Sequence, residues 1–140
     1  MDSFTQAINS FGELIKLDSS NTNYKVSQAL CYIDGKGDVM SGVVMLKGVE
    51  KTDPDNETMN LTLGRLAVVS GQYDKAIARL EKLVKLHPDN AEGFLHLGEA
   101  YRAVGKKEEA VNAFEKCKSL LKNTEAKNQL DNIIHQTKNS

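Results

Sequence analysis

The chain has 140 residues, 40% of them hydrophobic and 26% charged, with 18 basic against 19 acidic side chains and a net charge of −1. That balance fits a single globular domain and excludes collagen-like, mucin-like and disordered classes. A dedicated nucleic-acid binder would be more basic, and no apolar run approaches the ~18 residues of a membrane span. The opening Met1-Asp2-Ser3-Phe4 lacks the basic stretch and apolar core of a secretory leader. Two cysteines without CxxC, three histidines without HExxH, and a lone Gly35-Lys36-Gly37 cluster leave no recognisable metal, nucleotide or catalytic motif. No cofactor and no enzymatic activity are expected.

In chain order, Phe4, Ala7, Ile8, Phe11, Leu14 and Ile15 recur at helical spacing and predict an amphipathic helix ending near Leu17. A second helix follows Asn21 and stops before the glycine cluster. The valine-rich stretch from Val39 to Val49 reads as a helix rather than a strand, because Gly42, Met45, Leu46 and Val49 share one face. Pro54 ends it, since the residue before proline is pushed out of the helical region. Asp55-Asn56 then offers an N-cap. Leu63, Gly64 and Ala67 mark the next helix, and Gly71 its left-handed stop. Ala76, Leu80 and Leu83 lie on a further helix, closed by Pro88, with Asp89-Asn90 as the following cap. Phe94, Leu97, Gly98 and Tyr101 run to a second stop at Gly105, and Ala110, Phe114 and Leu120 form the next helix. Thr124 is placed to N-cap a last one, with Ala126, Leu130, Ile133 and Ile134 on its apolar face. The tail from Gln136 should fray. About eight helices and no sheet are expected.

These elements repeat. Leu86-His87-Pro88-Asp89-Asn90 echoes Thr52-Asp53-Pro54-Asp55-Asn56, and Leu17-Asp18-Ser19-Ser20-Asn21 is a weaker copy. The closing asparagines, Asn21, Asn56 and Asn90, stand at intervals of 35 and then 34, and the second interval is the tetratricopeptide period. Phe94-x-x-Leu97-Gly98-x-x-Tyr101 with Ala110-x-x-x-Phe114 matches the tetratricopeptide pattern with Phe in place of Trp. Asn60-x-x-Leu63-Gly64-x-x-Ala67 with Ala76-x-x-x-Leu80 keeps its small residues and loses its aromatics. Ala29, Tyr32 and Gly42-x-x-x-Leu46 form a divergent copy, with one extra residue placed near Asp34–Asp38. The chain therefore resembles the tetratricopeptide-repeat family over nearly its whole length.

The resemblance implies an all-α, right-handed solenoid of antiparallel helix pairs forming one domain. Its repeats would span 21–55, 56–89 and 90–123, with a capping helix over 124–137. Residues 1–20 align with the second helix of a repeat whose first helix is missing, so the chain is expected to be a fragment of a longer, bacterial-type protein. Its compartment would be the cytoplasm, or the periplasm given an upstream anchor.

In this family the first helix of each pair lines a concave groove that receives a peptide. Alignment selects Asn23, Val26, Ser27, Leu30 and Ile33 in the first repeat. It selects Thr58, Leu61, Thr62, Arg65, Val68 and Val69 in the second, and Glu92, Leu95, His96, Glu99 and Arg102 in the third; Leu61 and Leu95 also suit packing between helices. The chaperone-binding members grip a C-terminal carboxylate with Lys, Asn and Arg. Here the matching places hold Val26 and Leu30, then Thr62, then Glu92 and His96, and the acids at 92 and 99 would repel a carboxylate. The expected function is a non-enzymatic scaffold holding a neutral or amphipathic protein segment, with no nucleic acid and no membrane as partner. The alternative is a structural spacer or self-association module, dimerising through the apolar face of the first helix. Cys117 reads as a small core residue, and the sequons at Asn56 and Asn60 fall at a packed helix start where modification is not expected.

Overall fold

The computed structural model describes residues 2–140. Among them are eight α-helices and no strand: α1 (Ser3–Leu17), α2 (Thr22–Leu30), α3 (Val39–Thr52), α4 (Glu57–Val69), α5 (Tyr73–Leu86), α6 (Ala91–Ala103), α7 (Lys107–Leu120) and α8 (Thr124–Lys138), with a π-turn at Cys31–Gly35 continuing α2. The chain divides into two compact units, the first ending at Met59 and the second running Asn60–Ser140.

In the N-terminal unit α2 and its π-turn pack against α1 on one side and α3 on the other. Asn21 caps α2 by accepting from the amides of Asn23 and Tyr24, and Asp38 caps α3 through Ser41. The core is Val26, Ala29, Ile33, Leu46 and Val49, all of them buried. The π-turn answers the long first interval of the repeat. Gly37, Gly71 and Gly105 all have positive φ, between 70° and 82°, and they follow one another at the regular period. The extra residue therefore lies before Gly37. A π-turn, with one more residue per hydrogen-bonded ring than an α-turn, absorbs it. The cap shows the same shift. The amides of Gln72 and Lys106 donate five residues back, to Ala67 and Tyr101, while Asp38 donates six back, to Tyr32. The extra residue expected near Asp34–Asp38 is taken up by the π-turn at Cys31–Gly35, which overlaps that stretch.

Helix α1 has no fully buried residue. Asp2 caps it through the Thr5 amide (2.8 Å) and accepts from Lys36 Nζ (2.8 Å). Phe4 lies on Gly35, where a Cβ would stand 2.3 Å from its ring, and Gln28 Nε2 donates to the Ile8 carbonyl. The Lys36 ammonium and the Thr5 amide pull the Asp2 carboxyl from 3.8 down to about 2. A carboxylate lowered on folding stabilises the docked helix above its unfolded value, and that contribution disappears as pH falls through about 2. Amide protection of α1, taken relative to intrinsic exchange at each pH, is therefore expected to fall between pH 4 and 2 ahead of that of α2 and α3, and Lys36→Met should weaken that dependence. Because the pair is exposed, high salt should also reduce it.

In the C-terminal unit α5 packs on α6, α6 on α7 and α7 on α8. The crossings are close where the sequence is small. A Cβ on Gly64 would lie 2.5 Å from Leu80, and one on Gly98 2.5 Å from Phe114. Asn60, at the consensus tryptophan place, is 1% exposed and accepts from Arg79 Nη1 at 2.9 Å. Its amide is thus enclosed, and Asn56 is engaged in the α4 cap, where it accepts from the Met59 amide. Asn90 caps α6. The last cap is Asn123, which accepts from Ala126, and Thr124 is the first helical residue rather than the cap. Nor does the helix end at Gln136. It continues to Lys138 with Thr137 fully buried, its hydroxyl donating to the Ile133 carbonyl, and Lys107 donates to the Ser140 carbonyl.

Candidate protein-interaction groove

The C-terminal unit carries an open cavity of about 670 Å³, lined by Leu95, Glu99, Arg102 and Ala103 of α6, Phe114 of α7 and Ile133 of α8. Spacing puts the α6 residues there, because positions 95, 99, 102 and 103 fall on one helix stripe. Phe114 is 1% exposed and forms the floor beneath Gly98. Leu130 and Ile134 pack with it, and Lys118 on α7 reaches Asp131 on α8 at 2.6 Å. The surface is mainly apolar, with one acid and one base. His96 Nδ1 lies 3.1 Å from Glu99 Oε1, and the imidazole is mostly covered while the carboxylate is half-exposed.

Of the residues selected from the sequence, Glu99, Arg102 and Leu95 line this cavity, and His96 reaches it through Glu99. Glu92 is exposed at the first turn of the same helix. Arg65 and Val68 are half-buried on α4, where Val68 packs against the core cluster of α5 and α6, and Val69 is exposed. Thr62 is buried. In the N-terminal unit Val26 and Ile33 are buried, Ser27 and Leu30 are half-buried, and Asn23 is exposed. Thr58 is also exposed. In the sequence Ile133 reads as an apolar cap residue and not as groove. Yet it lies one full repeat period after Glu99, so carrying the period one step further finds it.

Two groups bear on the site's chemistry. Tyr101 donates to Glu81 Oε1 at 2.5 Å, tying α6 to α5. Burial and that carboxylate raise the phenol far above its ordinary range, so it stays protonated. Burial likewise raises the Cys117 thiol, which keeps it unreactive. Among the described residues no group of three His, Cys, Asp or Glu could hold a metal.

These antiparallel helix pairs, with small residues at the crossings and glycine at the turns, define an all-α helical-repeat fold. Residues 61–117 match the tetratricopeptide repeat family model. Among solved structures the whole chain is similar to MamA AMB-1, with a TM-score of 0.79 and 22% identity over 96% of this chain and 77% of that one. It is also similar to MamA 41-end from Desulfovibrio magneticus RS-1, with a TM-score of 0.72 and 22% identity over 84% of this chain and 66% of that one. At this identity the likeness concerns the fold. No curated protein matches the sequence. Repeats of this type build protein–protein interaction scaffolds, and this chain has their architecture.

Proposed function

We propose that the chain is a non-enzymatic scaffold that holds a segment of a partner protein in the groove formed by the first helices of its repeats. The observation that supports this most is the α6–α8 cavity. Three of its six lining residues, Leu95, Glu99 and Arg102, are positions that the repeat alignment assigns to the groove. An open, largely apolar surface with few polar groups is the usual form of a recognition site. The test is an affinity capture from source-cell lysate with this chain and with an Arg65→Ala/Glu99→Ala/Arg102→Ala variant that retains its circular dichroism. A partner recovered by the first and lost with the second is the expected result. Equal recovery by both would remove the groove from the function.

A second reading rests on α1. Its residues are all at least partly exposed, Phe4 to 46% and Leu17 to 84%. An apolar face left this open favours self-association. Under this reading the mass measured by sedimentation rises with concentration, and Phe4→Ser/Phe11→Ser suppresses the rise. A concentration-independent monomer would exclude it.

A further inference from the structure

The outward face of α3 departs from the pattern that the chain's other repeats set. Gly42, Ala76 and Ala110 stand at intervals of 34 and hold the same place in α3, α5 and α7, so other positions of these helices compare by the same step. Met40, Val44, Lys47 and Lys51 are all exposed, Met40 to 75% and Val44 to 65%. The places of the first three hold Asp74, Ala78 and Glu81 in α5, and Glu108, Asn112 and Glu115 in α7, likewise exposed. Where those helices turn acids to solvent, α3 turns methionine and lysine.

The four residues form one line. Steps of four, three and four are the spacing of a helix–helix seam, and the line runs about 16 Å along the helix. Its first half is apolar and its second half basic. Lys47 stands 3.8 Å from Glu50, yet its side chain is still 56% exposed, so its charge stays open to a partner. Gly48 lies beside the line, and a Cβ there would meet nothing within 4 Å. Glycine inside a helix is destabilising, and no described residue requires it at this position. The equivalent places hold Lys82 and Lys116. A body approaching α3 closely from outside would require it.

These features choose the occupant. A second copy of the same face would bring four lysines together with no acid on either line. An anionic bilayer would meet Asp38 at one end of the helix and Asp53 and Asp55 at the other, and it repels acids. A narrow partner lying along the line meets the two lysines alone. We propose that the outward face of α3 docks a helix of a partner protein, apolar where it faces Met40 and Val44, acidic where it faces Lys47 and Lys51, and packed closely over Gly48. Because α3 is the second helix of its repeat, this surface is distinct from the groove of first helices and does not rest on that reading.

The test uses labelled, helix-stabilised peptides with two leucines at one end of a stripe and two glutamates at the other, made in both chain directions, and the same peptides with lysines for the glutamates. Read by fluorescence anisotropy at low salt, the intact chain is expected to bind one glutamate peptide about ten-fold more tightly than its lysine counterpart, the scale of two exposed pairs turned from attraction to repulsion. Lys47→Glu/Lys51→Glu should reverse that preference. Met40→Gln/Val44→Gln should weaken binding of both by about five-fold or more. Gly48→Gln should raise the thermal midpoint and yet weaken binding, which a purely structural role of the helix would not produce. Equal affinities for the glutamate and lysine peptides, binding indifferent to Met40→Gln/Val44→Gln, or no saturable binding would each overturn the proposal. So would loss of binding with Glu99→Ala/Arg102→Ala, which would place the peptide in the groove. Capture by phosphatidylserine vesicles in place of the peptides would assign the face to lipid. A concentration-dependent mass abolished by Met40→Gln/Val44→Gln would assign it to a second copy. Either of these results also overturns the proposal.

Discussion

Phe114→Ala is expected to lower the unfolding free energy of the C-terminal unit by about 3–5 kcal/mol, the range for truncating a buried phenylalanine. The ring is 1% exposed and packs with Ala110, Cys117, Leu130 and Ile134. On its other face is Gly98, whose missing side chain leaves the space the ring occupies. Removing the ring therefore loosens α6, α7 and α8 together. A loss of that size is a large part of a domain's ordinary stability of roughly 5–15 kcal/mol. Urea denaturation followed by circular dichroism measures it. Phe114→Leu should cost less, because most of the volume is kept. The substitution also deepens the cavity floor, so any surviving peptide binding should weaken even where the fold persists at low temperature. A loss under about 1 kcal/mol, the level of ordinary surface changes and small trims, would mean that the ring does not anchor these helices.

Much of this fold is legible because helical repeats are built from local rules. Glycine at the left-handed turns, proline after the second helix, asparagine at the cap and a small residue at each crossing are decided by nearby atoms, so they are visible in one sequence. The long helix of valines, α3, is readable for the same reason: Gly42, Leu46 and Val49 all prove buried on one face. What is not legible depends on register and on neighbouring helices. The long interval between Asn21 and Asn56 tells that one residue is extra, but not which turn takes it up. Counted from Asn21, Tyr32 has the place of Ala67 and Tyr101; counted back from Gly37, Ile33 has it. The π-turn separates the two counts, and it is Ile33 that ends up inside. Similarly, Asn123 and Thr124 are both good caps in sequence, and only the chain's path selects the first. The groove's extension to Ile133 is hidden because α8 reads as a polar cap, although it also occupies the place of a first helix.

The π-turn leads to a second expected result, in which a consensus residue does harm. Gly42, Ala76 and Ala110 occupy the same place in successive repeats, each one period from the next, and alanine is the family's choice. Gly42→Ala would also gain helix propensity, by about 1 kcal/mol. Yet a Cβ at position 42 would lie 2.3 Å from Ile33 Cγ1 and 2.8 Å from the Ala29 carbonyl oxygen. The second contact is backbone, so α2 and α3 must separate or Ile33 must leave its rotamer. Overpacking of this kind costs typically about 1–3 kcal/mol, and an obstruction that includes main chain falls at the upper end. The net expectation is a destabilisation of the N-terminal unit by about 1–2 kcal/mol, read from its denaturation midpoint. At the equivalent places Ala76→Gly and Ala110→Gly should also destabilise, by about 1 kcal/mol or more through backbone entropy and lost packing. Glycine is then the better residue in one repeat and the worse in the next two. Ile33→Ala supplies the second arm. Alone it costs about 2–5 kcal/mol as a cavity, but combined with Gly42→Ala it should recover part of the loss, with a coupling on the order of 1–2 kcal/mol for residues in contact. If Gly42→Ala instead stabilises the chain, as the family pattern alone would suggest, then Ile33 is not held against α3 and the extra residue of the π-turn has no consequence for packing.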